Sequence, residues 1–68
     1  MVEGTRILFN EVLEGLKMPS LRGTILVNFP DTPEYVLVEL DRPAVDVETG
    51  IQLTTILVRV DSFQVQEC

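Results

Sequence analysis

The amino-acid sequence predicts a small all-β domain, with five short antiparallel strands curled into a barrel. Three observations carry this expectation. Residues 24–29, 35–41 and 55–61 each alternate between two parities, one of them rich in β-branched residues. Turn-forming residues separate these stretches: Pro30, Asp31, Thr32 and Pro33, then Arg42 and Pro43, then Glu48, Thr49 and Gly50. No segment carries a strong helical period. Successive side chains on a strand point to opposite faces, so alternation between turn signals reads as short strands. Closing such strands into a barrel removes exposed edges.

Residues 5–11 are expected to form the first strand, followed by a loop. Ile7 and Phe9 then share one side and Leu8 takes the other. A helix over residues 5–16 competes with this reading. Leu8, Val12 and Leu16 lie four apart with Phe9 and Leu13 beside them, and Thr5 could cap the start. Gly15 weakens that helix or stops it. Pro19 and Ser20 end the loop. Gly23 opens the first clear strand, residues 22–29, with Ile25, Val27 and Phe29 inward and Leu26 outward. The turn at residues 30–33 follows, since proline fixes φ and the Asp31 and Thr32 side chains can bond nearby backbone. The strand at residues 34–41 places Val36, Val38 and Leu40 inward and Tyr35 and Leu37 outward, completing an antiparallel hairpin.

Asp41, Arg42 and Pro43 read as a break. Val45 and Val47 then alternate with Asp46 and Glu48 in a short, polar-faced strand. Gly50 supplies the left-handed residue of a tight turn. The last strand covers residues 51–61, with Ile56, Val58 and Val60 inward and Leu57 outward. Ser62, Phe63 and Gln64 add a short helical turn, after which Phe63 or Val65 packs back on the core.

The 68 residues make one domain, residues 1–68, which buries only about 60% of the surface of its unfolded chain. Chains this small often rely on disulfides, metals or association. The only cysteine is Cys68 and there is no histidine. Neither an internal disulfide nor a zinc site follows from that composition, which leaves association as the expected support. A single cysteine suits a reducing compartment, and its position at the chain end makes an intermolecular disulfide accessible. No apolar run approaches a membrane span, and the first residues lack the pattern of a signal peptide. The expected location is the cytoplasm, with no membrane association. Eleven acidic residues against five basic ones give a net charge of −6. That field repels phosphate backbones, so nucleic acid is a disfavoured partner.

Few residues suggest chemistry. Asp41, Asp46 and Glu48 cluster ahead of Gly50, but their spacing lacks the ligand pattern of an EF-hand loop. They read as solvated carboxylates. Asp31 and Glu34 flank a surface turn with no pocket to separate their pKa values. Thr32, Thr49, Thr54, Thr55 and Ser62 have no histidine to activate them. Gly4, Gly15, Gly23 and Gly50 are too dispersed for a phosphate loop. No catalytic, cofactor or metal residue is expected. The outward apolar set Leu8, Leu26, Tyr35, Leu37 and Leu57 is the candidate site. A contiguous apolar patch marks an interface. The competing explanation is cover by residues 12–21, by residues 42–50 or by the C-terminal tail.

The order of features resembles small SH3-like barrels. A first strand and a long irregular loop precede Leu21-Arg22-Gly23-Thr24-Ile25-Leu26-Val27. A turn, Tyr35-Val36-Leu37-Val38-Glu39-Leu40, a second excursion and a last strand ending in Val60-Asp61-Ser62-Phe63 follow. The Gly-Thr-Ile-x-Val and Tyr-Val-x-Val-Glu elements are similar to the centre of KOW-type and Tudor-type barrels. They are also similar to several families of short uncharacterised bacterial proteins with this fold. The resemblance covers about residues 5–65 and implies a five-stranded antiparallel SH3-like barrel. It implies fold more than function. The chain lacks the basic loops of KOW-type RNA binders. Tyr35 alone does not supply the aromatic cage of Tudor-type readers.

The expected function is a non-enzymatic acidic interaction module. It would self-associate as a homo-oligomer, or dock on a protein partner, through the outer Leu/Tyr face. The alternatives are a KOW-like nucleic-acid-associated barrel, which needs Arg22, Arg42 and Arg59 to converge, and an acidic inhibitor or mimic presenting Glu34, Glu39 and Asp41 to a basic groove.

Overall fold

The computed structural model describes residues 2–66, so Cys68 lies outside the described residues. The strands are β1 (Arg6–Phe9), β2 (Leu16–Lys17), β3 (Arg22–Asn28), β4 (Tyr35–Asp46), β5 (Gln52–Arg59) and β6 (Phe63–Val65). One turn of 3-10 helix, Val60–Ser62, joins β5 to β6. The ladder runs β5-β4-β3-β1-β6, and every pair is antiparallel. The small β2 pairs with the far end of β4. The result is a curled all-β sheet, a half-barrel, with its core on the concave side. No α-helix occurs among the described residues, so residues 5–16 take the strand-and-loop form.

Ile7, Phe9, Ile25, Val36 and Val38 are fully buried. Phe63 packs its ring edge-on to Phe9, with centroids 6.0 Å apart. The 3-10 turn makes this contact by bending the chain so that β6 returns to β1, where Phe9 lies opposite Phe63. Val65, by contrast, stays exposed. The loop after β1 folds under the sheet and buries Met18, whose Sδ lies 3.5 Å from the Leu13 amide. Partly buried Leu13 and Leu16 pack against the core there.

Three expectations need correction. Six strands form instead of five: the two strands expected over residues 34–48 merge into β4, while the loop after β1 contributes β2 and the chain after the 3-10 turn adds β6. Asp41, Arg42 and Pro43 do not break the chain, and β4 runs through them to Asp46. Between Glu39 and Ala44 its register against β5 shifts, four residues of β4 facing the single Thr54. Pro43 has no amide hydrogen and sits inside this bulge, where no ladder bond is asked of it. Beyond the bulge, Ala44 is fully buried opposite Leu53. The third is the facing of Val27 and Phe29, which a one-residue bulge in β3 turns outward.

The turn into β5 follows from Asp46 and Gly50. Asp46 Oδ1 accepts hydrogen bonds from the amides of Glu48 (2.8 Å) and Thr49 (3.2 Å). Gly50 takes φ +75° and its amide donates to the Asp46 carbonyl at 2.8 Å. The Asp46 carboxylate is thus occupied in shaping a hairpin. This agrees with the turn expected at residues 48–50.

Across the sheet, Arg6 on β1 reaches over β3 to Asp41 on β4. Its guanidinium donates to both carboxylate oxygens, one at 2.6 Å, and to Thr24 Oγ1 at 2.9 Å. The hydrogen bonds from Arg6 hold the Asp41 carboxyl below its ordinary range, and the charge of Arg22 acts in the same direction. A depressed folded-state pKa stabilises the fold above the unfolded value of about 3.9, and that contribution disappears as pH falls through the folded value. An NMR acid titration should therefore show Asp41 protonating at lower pH than an ordinary aspartate. Arg6→Gln should return it to the ordinary range. Ordinary titration of Asp41 in the parent protein would mean that the bridge does not persist in solution.

Candidate protein-docking surface

The make-up of the outer face depends on a bulge in β3. Ile25 lies opposite Val38, but Val27 lies opposite Leu37 and Asn28 opposite Val36. Directly opposed residues of an antiparallel pair project on the same face. Val36 and Val38 both point into the core. The extra residue, Leu26, therefore reverses the parity of everything after it. Ile25 remains inward, while Val27 goes outward with Leu37. Phe29, placed inward by simple alternation, is half-buried and lines the outer groove with Tyr35.

Three strands now contribute one apolar row, Val27, Leu37 and Leu57, each opposite the next. Leu57 is 59% exposed at its end. The neighbouring row holds Tyr35 opposite Arg59, with Phe29 beside Tyr35. Phe29, Thr32, Tyr35 and Leu57 line a groove of about 240 Å³. A second groove of about 130 Å³ runs between Phe29, Tyr35, Pro30 and Pro33. The turn holds this shape through the Thr32 amide donating to the Phe29 carbonyl (3.0 Å) and the Tyr35 amide donating to that of Thr32 (3.1 Å).

Of the expected site residues, the fold brings Tyr35, Leu37 and Leu57 together. Leu26 is the bulge residue next to them and is half-buried. Leu8 is elsewhere, opposite Arg22 and Gln64. A polar row of Arg6, Thr24, Glu39 and Thr55 separates it from the leucines. Val27 and Phe29 were missed. Hairpin arithmetic carries a signal for Phe29: a five-residue loop over residues 30–34 sets it opposite Tyr35. Nothing comparable marks the bulge at Leu26. Cover by loops does not reach Leu57, given its exposure.

The guanidinium of Arg59 lies 6.0 Å from the centre of the Tyr35 ring, and its Nε is 3.5 Å from Asp61. Both groups of the ion pair are exposed, so it contributes little stability. The guanidinium nevertheless occupies a face of the one tyrosine ring, where a cationic ligand would meet like charge. The surface is thus apolar, with the Arg59–Asp61 ion pair at one margin and Glu39 in the row along the other. No family model matches this chain, and no curated protein or solved structure matches it either.

Proposed function

We propose that this protein is a non-enzymatic, acidic interaction module of the SH3-like barrel type. It docks protein through the apolar end of its outer face: Val27, Phe29, Tyr35, Leu37 and Leu57. The observation that carries this reading is the row Val27, Leu37, Leu57 crossing three strands and ending in a largely exposed leucine. Monomers seldom present joined apolar side chains of this kind to water. The strand order, with a long loop after β1 and a 3-10 turn before the last strand, supports the barrel assignment. The alternatives draw less support. Arg59, one of the three cations that the nucleic-acid reading needs, is engaged with Tyr35 and Asp61. Glu39 and Asp41 share the outer side of β4 with Tyr35 and Leu37, so leucine and tyrosine interrupt any carboxylate stripe.

Leu57→Glu tests the reading. Leu57 is exposed, so the variant should keep the far-ultraviolet spectrum and the melting temperature within a few degrees, because surface changes usually cost within about 0.5 kcal/mol. It should lose association measured by light scattering over a dilution series. Unfolding of this variant would show that Leu57 serves the core and would remove the proposal.

A further inference from the structure

We propose that β5 is a dimer seam, on which a second copy of this chain adds its own β5 antiparallel about a two-fold axis at Leu57. The inference rests on the outer face being a docking surface and goes on to name the occupant and its register.

Among the described residues β5 pairs with β4 alone, so its other edge is open. The direction of the free backbone groups follows from one bond. The Val60 amide donates to the Glu34 carbonyl at 2.9 Å, continuing the β4–β5 ladder. Bonded positions recur every second residue in an antiparallel pair. Val58 and Ile56 therefore turn their amide and carbonyl toward β4. Thr55, Leu57 and Arg59 turn theirs outward. From Gln52 to Val58 the edge carries no charge and no proline, the guards with which exposed edges are normally blunted.

The second copy fits this edge in three respects. Pairing Leu57 with Leu57, and Thr55 with Arg59, satisfies the outward groups with about six ladder hydrogen bonds. The row Val27, Leu37, Leu57 then runs on into the same row of the second copy, which covers the most exposed leucine of the patch. Charge also matches. Arg59 would stand opposite Thr55 of the second copy, and Glu39 lies directly beyond that Thr55 on β4. Two strand spacings amount to about 10 Å, a distance that an extended arginine and glutamate bridge over a short threonine once Arg59 swings from Tyr35 and Asp61 toward the second copy. The contact occurs twice by symmetry. Sliding the axis toward the end of β5 would instead set the two Arg59 side chains against each other.

The test uses the full chain under reducing conditions, which removes any disulfide through Cys68. Sedimentation should show a concentration-dependent monomer–dimer equilibrium. Amide exchange at Thr55, Leu57 and Arg59 should slow as protein concentration rises. Thr55→Pro removes an outward amide that β4 does not use and leaves the apolar row intact. It should raise the dimer dissociation constant by about a hundredfold. Arg59→Glu should raise it about tenfold, and adding Glu39→Arg should restore it. If Thr55→Pro still dimerises while Leu57→Glu does not, copies dock by their faces and the seam is overturned, leaving the docking surface in place. If neither variant changes the assembly, both readings fall. A parent protein that is monomeric at every concentration, or whose free β5 edge takes only a foreign peptide, overturns the seam.

Discussion

Phe9→Ala is expected to leave most of the chain unfolded at room temperature. Phe9 is 2% exposed and makes the edge-on contact with Phe63 that fastens β6 to β1. Truncating a buried phenylalanine costs about 3–5 kcal/mol through lost transfer energy and the cavity left behind. A single core in a chain this short supplies a net stability of only about 3–5 kcal/mol. The loss is therefore comparable to everything that holds the fold. Neighbours have little scope to fill the space, because Ile7, two residues back on the same face of β1, and Phe63, opposite on β6, are themselves already buried. Urea denaturation followed by circular dichroism should show the transition moved close to zero denaturant, or no folded baseline. Phe63→Leu keeps an apolar side chain in place and should cost less. A Phe9→Ala protein that melts like the parent would mean that this pair does not fasten β6 to β1.

Gly23→Ala is the second large effect, and its direction is not obvious from composition. Alanine in a strand would normally help, since removing glycine's backbone freedom stabilises by about 0.4–1 kcal/mol where the conformation is compatible. Gly23 has no positive φ, so conformation raises no objection. Space does. A methyl group there would lie 2.7 Å from the Glu39 carbonyl oxygen and 2.7 Å from Val38 Cγ1. The first neighbour is backbone of β4, within the β3–β4 ladder, and cannot swing aside. Overpacking of this kind costs about 1–3 kcal/mol, which exceeds the gain. The expected outcome is a net loss of about 1–2 kcal/mol, read as a lower urea midpoint at unchanged slope. A raised midpoint would show that β3 and β4 can separate slightly without penalty.

Much of the fold was legible because alternation is a local signal. Val36, Val38 and Leu40 are buried at the parity the sequence assigns, and so is Val58. Gly50 takes the left-handed turn that Glu48, Thr49 and Gly50 imply. Pro43 misled for a physical reason. Proline removes one ladder bond, which argues against a strand only when the partner strand needs that bond. The bulge between Glu39 and Ala44 needs none there, so β4 continues and delivers Ala44 to the core. The site was half legible on the same grounds. Tyr35, Leu37 and Leu57 come from strands with regular register around them. Val27 and Phe29 follow a one-residue insertion in β3 that no glycine or proline announces.

What the sequence determined by itself is the class of structure and the place of most turns, since both follow from side-chain alternation and backbone preferences within a few residues. The apolar surface was decided only by the tertiary structure. Which residues share a face depends on register between strands, and register is set jointly by β3, β4 and β5. One extra residue at Leu26 turned Val27 and Phe29 outward and joined three strands into a patch. The separation of Leu8 from that patch, by Arg6, Thr24, Glu39 and Thr55, likewise exists only once β1 is laid beside β3.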